Sequence, residues 1–206
     1  MNITIDNSNV FINCPFDKDY LNLFRATIFT ILDSGFLPRC SLEIENGSDY
    51  RLSSILSLIK ECQFGVHDIS RIELDEESNF PRFNMPFELG LSYSARHFGD
   101  DDQKNKKLLI LESIKYSSKT YLSDISGMDV NCHKNDEKIL IKELRNWLLT
   151  ASKTNGIRQP TKIWERFEMF MSTIKQYCEK DDVDLDSMPF LELTHNMTEW
   201  LLLNKN

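Results

Sequence analysis

Residues 10–36, VFINCPFDKDYLNLFRATIFTILDSGF, hold the alternation from which the fold class is read. Val10-Phe11-Ile12-Asn13 is a short apolar run that stops at Cys14-Pro15-Phe16-Asp17, the pattern of a strand running into a turn. Asp17 or Asp19 is placed to cap a helix, in which Leu21, Phe24, Ile28 and Leu32 recur at helical spacing. Gly35 falls where a helix end calls for left-handed backbone, and residues 36–42 read as a second strand.

Outward from this stretch the alternation continues. Asn46-Gly47-Ser48-Asp49 is a turn with a cap, followed by a helix with Leu52, Ile55, Leu56 and Ile59 on one side, then a third strand at 64–69. Residues 70–82 show no apolar period and read as a loop. Asn84-Met85-Pro86 opens a helix through Leu89, Leu91 and Tyr93, proline being tolerated in a first turn. Residues 107–111, KLLIL, are continuously apolar, as in a parallel sheet covered on both faces. A weaker fifth strand is expected near Asp129-Val130, and a helix follows at 137–149 with Leu140, Leu144, Trp147 and Leu148 on one face. The expectation is an α/β, flavodoxin-like three-layer domain over residues 1–155, with a mostly parallel sheet of four to five strands. Residues 156–206 add a helical extension with two apolar stripes, Ile163/Phe167/Phe170/Met171/Ile174 and Phe190/Leu193/Met197/Trp200/Leu201, joined by the acidic stretch 179–186. This extension is expected to pack on the domain or to mediate assembly.

Composition narrows the function classes. The chain has 206 residues, 41% hydrophobic and 27% charged, enough for a buried core. A formal net charge of -8 argues against a broad phosphate-neutralising surface, so no nucleic-acid partner is expected. The five cysteines are scattered without a CxxC pair, which speaks against a zinc ribbon or a disulfide framework. The start of the sequence has no basic and apolar leader, and no run approaches the roughly 20 apolar residues of a membrane span. A cytoplasmic protein is the expectation.

In an open parallel sheet the ligand crevice lies at the carboxyl ends of the strands. Three polar groups fall there: Asn13, Cys14 and Phe16 after strand one; Asp68, Ser70 and Arg71 after strand three; and Arg82, Asn84 and Glu88 around the start of the next helix. A turn can offer N–H groups to an anion, a carboxylate can bind ribose hydroxyls, and an arginine can meet a phosphate. Each also has a structural explanation: Asp68 as a turn residue, Asn13 as a backbone partner, Cys14 as a small buried side chain, and Glu88 as a first-turn acid favoured by the helix dipole. His67 is expected in the core. Cys132-His133 is only weakly suggestive of metal, and the four histidines show no ligand spacing. Neither a GxGxxG nor a Walker A motif is present.

The elements VFINCPFD (10–17), GF-PR (35–39), HDISR (67–71) and FNMPFELG (83–90), in that order at strand ends, resemble the bacterial TIR-like nucleotide-binding proteins. That group is similar to Toll/interleukin-receptor domains and nucleoside 2-deoxyribosyltransferases. The resemblance covers residues 9–150. It implies that Glu88 is the catalytic glutamate, stabilising or attacking an oxocarbenium-like sugar as nicotinamide or another base leaves. It places Asp68 near the ribose, and Asn13 and Phe16 near the nucleotide. NAD⁺ would be the substrate, with no separate cofactor and no metal. It further implies a role in antiviral defence, with control by homo-oligomer assembly or an activator protein. The sequence departs from compact relatives in the long charged loop 72–82, with Glu73, Asp75, Glu76 and Glu77, expected as a lid or a partner contact. Two other functions share these residues: a deoxyribosyltransferase or N-glycosidase acting on another base, and a non-catalytic nucleotide sensor.

Overall fold

Five strands pair in parallel in the order β2-β1-β3-β4-β5. They are β1 (Asp6–Asn13), β2 (Leu37–Cys40), β3 (Cys62–Asp68), β4 (Lys107–Glu112) and β5 (Val130–Cys132). The register sets Val10 against both Pro38 and Phe64, Val66 against Leu109, and Glu112 against Cys132. This is an α/β fold with the strand order of the flavodoxin-like three-layer class, and the order reverses between β1 and β3. The computed structural model describes residues 6–44, 50–71 and 80–205.

The chain forms two compact units, one comprising residues 1–15 and 37–136, the other 16–36 and 137–206. The first holds the sheet with α2 (Arg51–Glu61), α3 (Asn84–Phe98) and the short turns α4 (Asp101–Lys104) and α5 (Ser118–Tyr121). The second holds α1 (Leu21–Asp33), α6 (Glu137–Ser152), α7 (Pro160–Asp181) and α8 (Phe190–Leu203). The C-terminal helices therefore group with α1 and α6. A division at 155/156 falls inside the helical unit because α6 shares its apolar face with α1 and α7.

In the sheet unit, Phe11 packs with Ile55, Leu58, Ile59 and Cys62, while Ile44, Leu91 and Ala95 lean on the same cluster. The buried stripe of α2 is Ile55, Leu58 and Ile59; Leu52 and Leu56, expected on that side, are exposed. The end of α2 is fixed by the buried Lys106 ammonium, which donates to the carbonyls of Ile59 and Cys62, and by Gln103, which donates to Lys60 O at 3.1 Å. Burial pulls Lys106 down to about 8. The second strand is shorter than expected because Ser41–Glu43 turns into a 3-10 helix. The turn Asn46-Gly47-Ser48-Asp49 and residues 72–79 of the expected lid lie outside the described residues.

In the helical unit, α1 ends as its sequence implies. Gly35 takes φ +84°, and Phe36 N–H donates back to Ile31 O at 3.0 Å. Phe29 packs against Phe167 and Phe170 of α7 and Trp200 of α8, with ring centroids 5.6–5.9 Å apart. Asp33, buried at the end of α1, receives Arg166 Nε at 2.9 Å and Arg158 Nη1 at 3.3 Å. The helix at 160 runs to Asp181, shortening the acidic connection expected from 179, and Asp182 ends it in left-handed backbone. No described helix is long and apolar enough to cross a membrane.

Candidate functional site

The crevice end of the sheet is organised by two buried histidines. Asn13 closes β1 and is 3% exposed; its Nδ2 donates to His67 Nδ1 at 3.0 Å and to Met85 O at 2.8 Å. One side chain thus ties β1, β3 and the first turn of α3. Because His67 Nδ1 accepts, its ring proton sits on Nε2, which is buried without a hydrogen-bond partner among the described residues. Burial, assisted by the Lys106 charge, lowers His67 to about 3, so the ring stays neutral. Gly65 makes the space: a Cβ there would lie 2.9 Å from His67 Nε2.

The second histidine was not singled out for this site in the sequence. His133 Nε2 lies 2.9 Å from Asp68 Oδ2, both groups at most 1% exposed. Asn135 N–H donates to His133 Nδ1 at 3.1 Å, so the ring proton faces Asp68. Lys134 and Asn135 take φ of +56° and +55°, a conformation unfavourable for side-chain-bearing residues that turns the chain back onto the ring. Ser70 completes the cluster. Its N–H donates to Asp68 Oδ1 at 2.9 Å, its hydroxyl donates to the same oxygen, and its Oγ lies 3.0 Å from His133 Nε2. Both carboxylate oxygens of Asp68 are therefore engaged inside the protein. Asp68 thereby fixes the end of β3.

Ile69, between these two, is held at both polar atoms. Its N–H donates to Leu111 O at 2.9 Å, and its carbonyl accepts from Tyr121 Oη at 2.7 Å. Its side chain packs with Met85, Leu89 and Ile110. That cluster sets α3 against the strand ends, and α3 carries Glu88.

Glu88 is the fifth residue of α3, just beyond the first turn in which the sequence placed it, because the helix already starts at Asn84. It is half-buried, and burial raises its carboxyl to about 7; the Arg51 charge at the start of α2 pulls the other way and does not prevail. Desolvation thus outweighs the arginine. Arg51 itself donates to Ser41 Oγ at 3.0 Å. Before Glu88 in the chain, Phe83 and Phe87 are 67% and 54% exposed, and Phe80 is 72% exposed. Sequence reading passed over these aromatics because nothing in an F-x-x-x-F spacing separates a core ring from an exposed one.

The remaining candidates separate. Cys14, directly after Asn13, is buried and outside any disulfide. Arg71 is half-buried, and Arg82 and Asn84 are exposed at the approach to α3. Phe16 belongs to the helical unit, where its ring meets Phe24 edge-on at 5.2 Å. Among the described residues no group of three or more His, Cys, Asp or Glu side chains is arranged to hold a metal ion. No family model matches the chain, and no curated protein or solved structure matches it.

Proposed function

We propose that this chain is an N-glycosyl hydrolase that cleaves the bond between ribose and nicotinamide in NAD⁺, acting in the cytoplasm as a bacterial antiviral effector. Glu88 is the catalytic residue. The observation that carries the reading is the half-buried Glu88, whose carboxyl burial raises to about 7, on a helix whose start carries the exposed Phe83 and Phe87. A carboxylate stripped of water is stabilised most by a positive charge appearing next to it. An oxocarbenium-like sugar supplies that charge in the transition state, and a nicotinamide ring, already cationic, leaves as a neutral base. Asn13, Asp68, Ser70 and His133 act as positioning residues that fix the strand ends and α3. Phe83 or Phe87 offers a ring on which the departing base stacks. Control by assembly or by an activator is part of the proposal, since unrestrained loss of NAD⁺ would harm the host cell.

The test is base release followed by chromatography, with purified wild type and Glu88→Gln incubated with NAD⁺ and a panel of nucleosides and nucleotides. Nicotinamide release by wild type, reduced on the order of 10³-fold in the variant, is the expected result. Release of a different base would move the assignment to a deoxyribosyltransferase or N-glycosidase. No release from any compound, even at concentrations that promote assembly, sinks the enzymatic reading.

A further inference from the structure

A concavity of about 470 Å³ lies between the carboxyl end of β4 and the residues that lead into β5. Its volume is within the range of small-molecule sites, and the carboxyl end of a strand is where open parallel sheets hold ligands. Lys115, Tyr116 and Lys119 line it together with Ile125, Gly127 and Met128. The Lys115 and Lys119 ammonium groups both sit over the Tyr116 ring, 4.9 Å and 4.5 Å from its centroid. Two like charges drawn to one ring repel each other, and neither has a carboxylate within ion-pair distance among the described residues.

The buried carboxylate in the lining is committed elsewhere. Glu112, at the end of β4, is 1% exposed; it accepts from the N–H of Tyr116, from Ser118 N–H at 3.0 Å and from Ser117 Oγ at 3.3 Å. That grip holds Tyr116 at φ +68°, a conformation disfavoured for a tyrosine, with its ring 57% exposed. Asp129 also borders the concavity, on the β5 side and exposed. The apolar part of the lining is Ile125 and Met128, partly buried residues that pack on the Ile69/Met85/Leu89 cluster.

We propose that this concavity is a binding site for a nucleoside diphosphate group, with Lys115 and Lys119 gripping the diphosphate and the apolar side chains of Ile125 and Met128 receiving the nucleoside. A diphosphate carries enough negative charge to neutralise two ammonium groups at once, and it removes the repulsion that the empty site retains. The assignment goes beyond the cleavage proposed for Glu88 and does not depend on it.

Isothermal titration of the full chain at low salt with ADP, adenosine and inorganic pyrophosphate tests it, using wild type, Lys115→Ala/Lys119→Ala, Gly127→Leu and Glu88→Gln. Both lysines are exposed, and a Cβ at Gly127 meets nothing within 4 Å in an ordinary backbone conformation, so these variants keep the fold, as an unchanged circular dichroism spectrum will verify. ADP is expected to bind at least about tenfold more tightly than adenosine and to weaken by at least about tenfold in both pocket variants. Pyrophosphate is expected to compete with ADP, and Glu88→Gln is expected to bind ADP as wild type does. The assignment is overturned if ADP does not bind, if adenosine binds as tightly, if pyrophosphate fails to compete, or if the double alanine variant retains wild-type affinity. Inactivity towards NAD⁺ with intact ADP binding would remove the Glu88 reading alone.

Discussion

Both units bury charged and polar side chains, but they arrange them differently. In the sheet unit Asn13, His67, Asp68, Ser70, Glu112 and His133 converge on the carboxyl ends of β1, β3, β4 and β5. In the helical unit they are spread along the helices they join. Asp33 receives Arg158 and Arg166, Arg145 donates to the carbonyls of Ile157 and Arg158 at 2.8 and 2.7 Å, and Arg25 pairs with Asp186 at 2.8 Å. Buried polarity in the helices fixes which helix meets which. In the sheet it fixes the strand ends, where a parallel sheet can hold a ligand. Burial alone does not mark a functional residue; convergence on one end of a parallel sheet does.

The sharpest way to break that comparison is to cut one acid in each unit. Asp33→Ala leaves the Arg166 guanidinium buried, 3% exposed, without its carboxylate, and should cost about 3–5 kcal/mol in chemical denaturation. Base release per folded molecule should stay within about twofold, because Asp33, Arg158 and Arg166 all belong to the helical unit and Glu88 to the sheet unit. Asp68→Ala strands the His133 ring proton and the Ser70 donors and should cost roughly 3 kcal/mol. In contrast to Asp33→Ala, it should also lower base release by more than about tenfold, since the strand end that positions the crevice is released. Equal losses of turnover per folded molecule in the two variants would erase the distinction between the units.

How far these residues were legible in the sequence follows the same division. The strands at 10–13 and 107–111, the α1 stripe and the Gly35 terminus follow from local rules of period and backbone conformation, and the fifth strand was visible as a hint at Val130. Local rules fail where partners are distant in sequence. Nothing in Cys132-His133 announces Asp68, 65 residues away by number; the pair exists because β3, β4 and β5 lie side by side in parallel register. The α2 stripe was misassigned at Leu52 and Leu56 because two overlapping helical faces are both apolar there, and tertiary packing chose the one with Leu58. Lys115, Tyr116 and Lys119 look like a solvated surface run until the Glu112 carboxylate folds the loop around itself. Glu88 was legible as a position, whereas its neighbours in space were not.

A smaller effect separates the two ends of the pH scale. His67 is held neutral with its pKa near 3, against an ordinary 6.5, so between those values the unfolded chain binds a proton that the native ring refuses. The stability associated with this neutral ring is complete above pH 6.5 and is lost as pH falls, by on the order of 3 kcal/mol near pH 4. Melting temperature should fall on acidification from pH 6.5, and His67→Phe, which fills the space over Gly65 but cannot titrate, should flatten that fall. A profile equally steep in the variant would assign the acid sensitivity to other groups.

Glu88 has the opposite sign and the smallest effect. Its folded pKa of about 7 lies above the ordinary 4.5, so between these values the native protein keeps a proton that the unfolded chain has released. Stability therefore falls as pH rises through that window, and the penalty is fully present above about pH 7. Since the carboxylate is only half-buried, solvent screening limits it to roughly 1–2 kcal/mol. Glu88→Gln should then be more stable than wild type at pH 8 and indistinguishable from it at pH 4, the reverse of what either alanine substitution above does. The same ionisation should govern turnover: base release requires the carboxylate and should rise as pH passes about 7, where stability is being lost. Opposed stability and activity profiles sharing one midpoint would identify a group whose destabilisation is part of its chemistry. A variant that gains no stability at pH 8 would mean that Glu88 is an ordinary solvated helix residue, and the contrast between the two units would then rest on Asp68 and His133 alone.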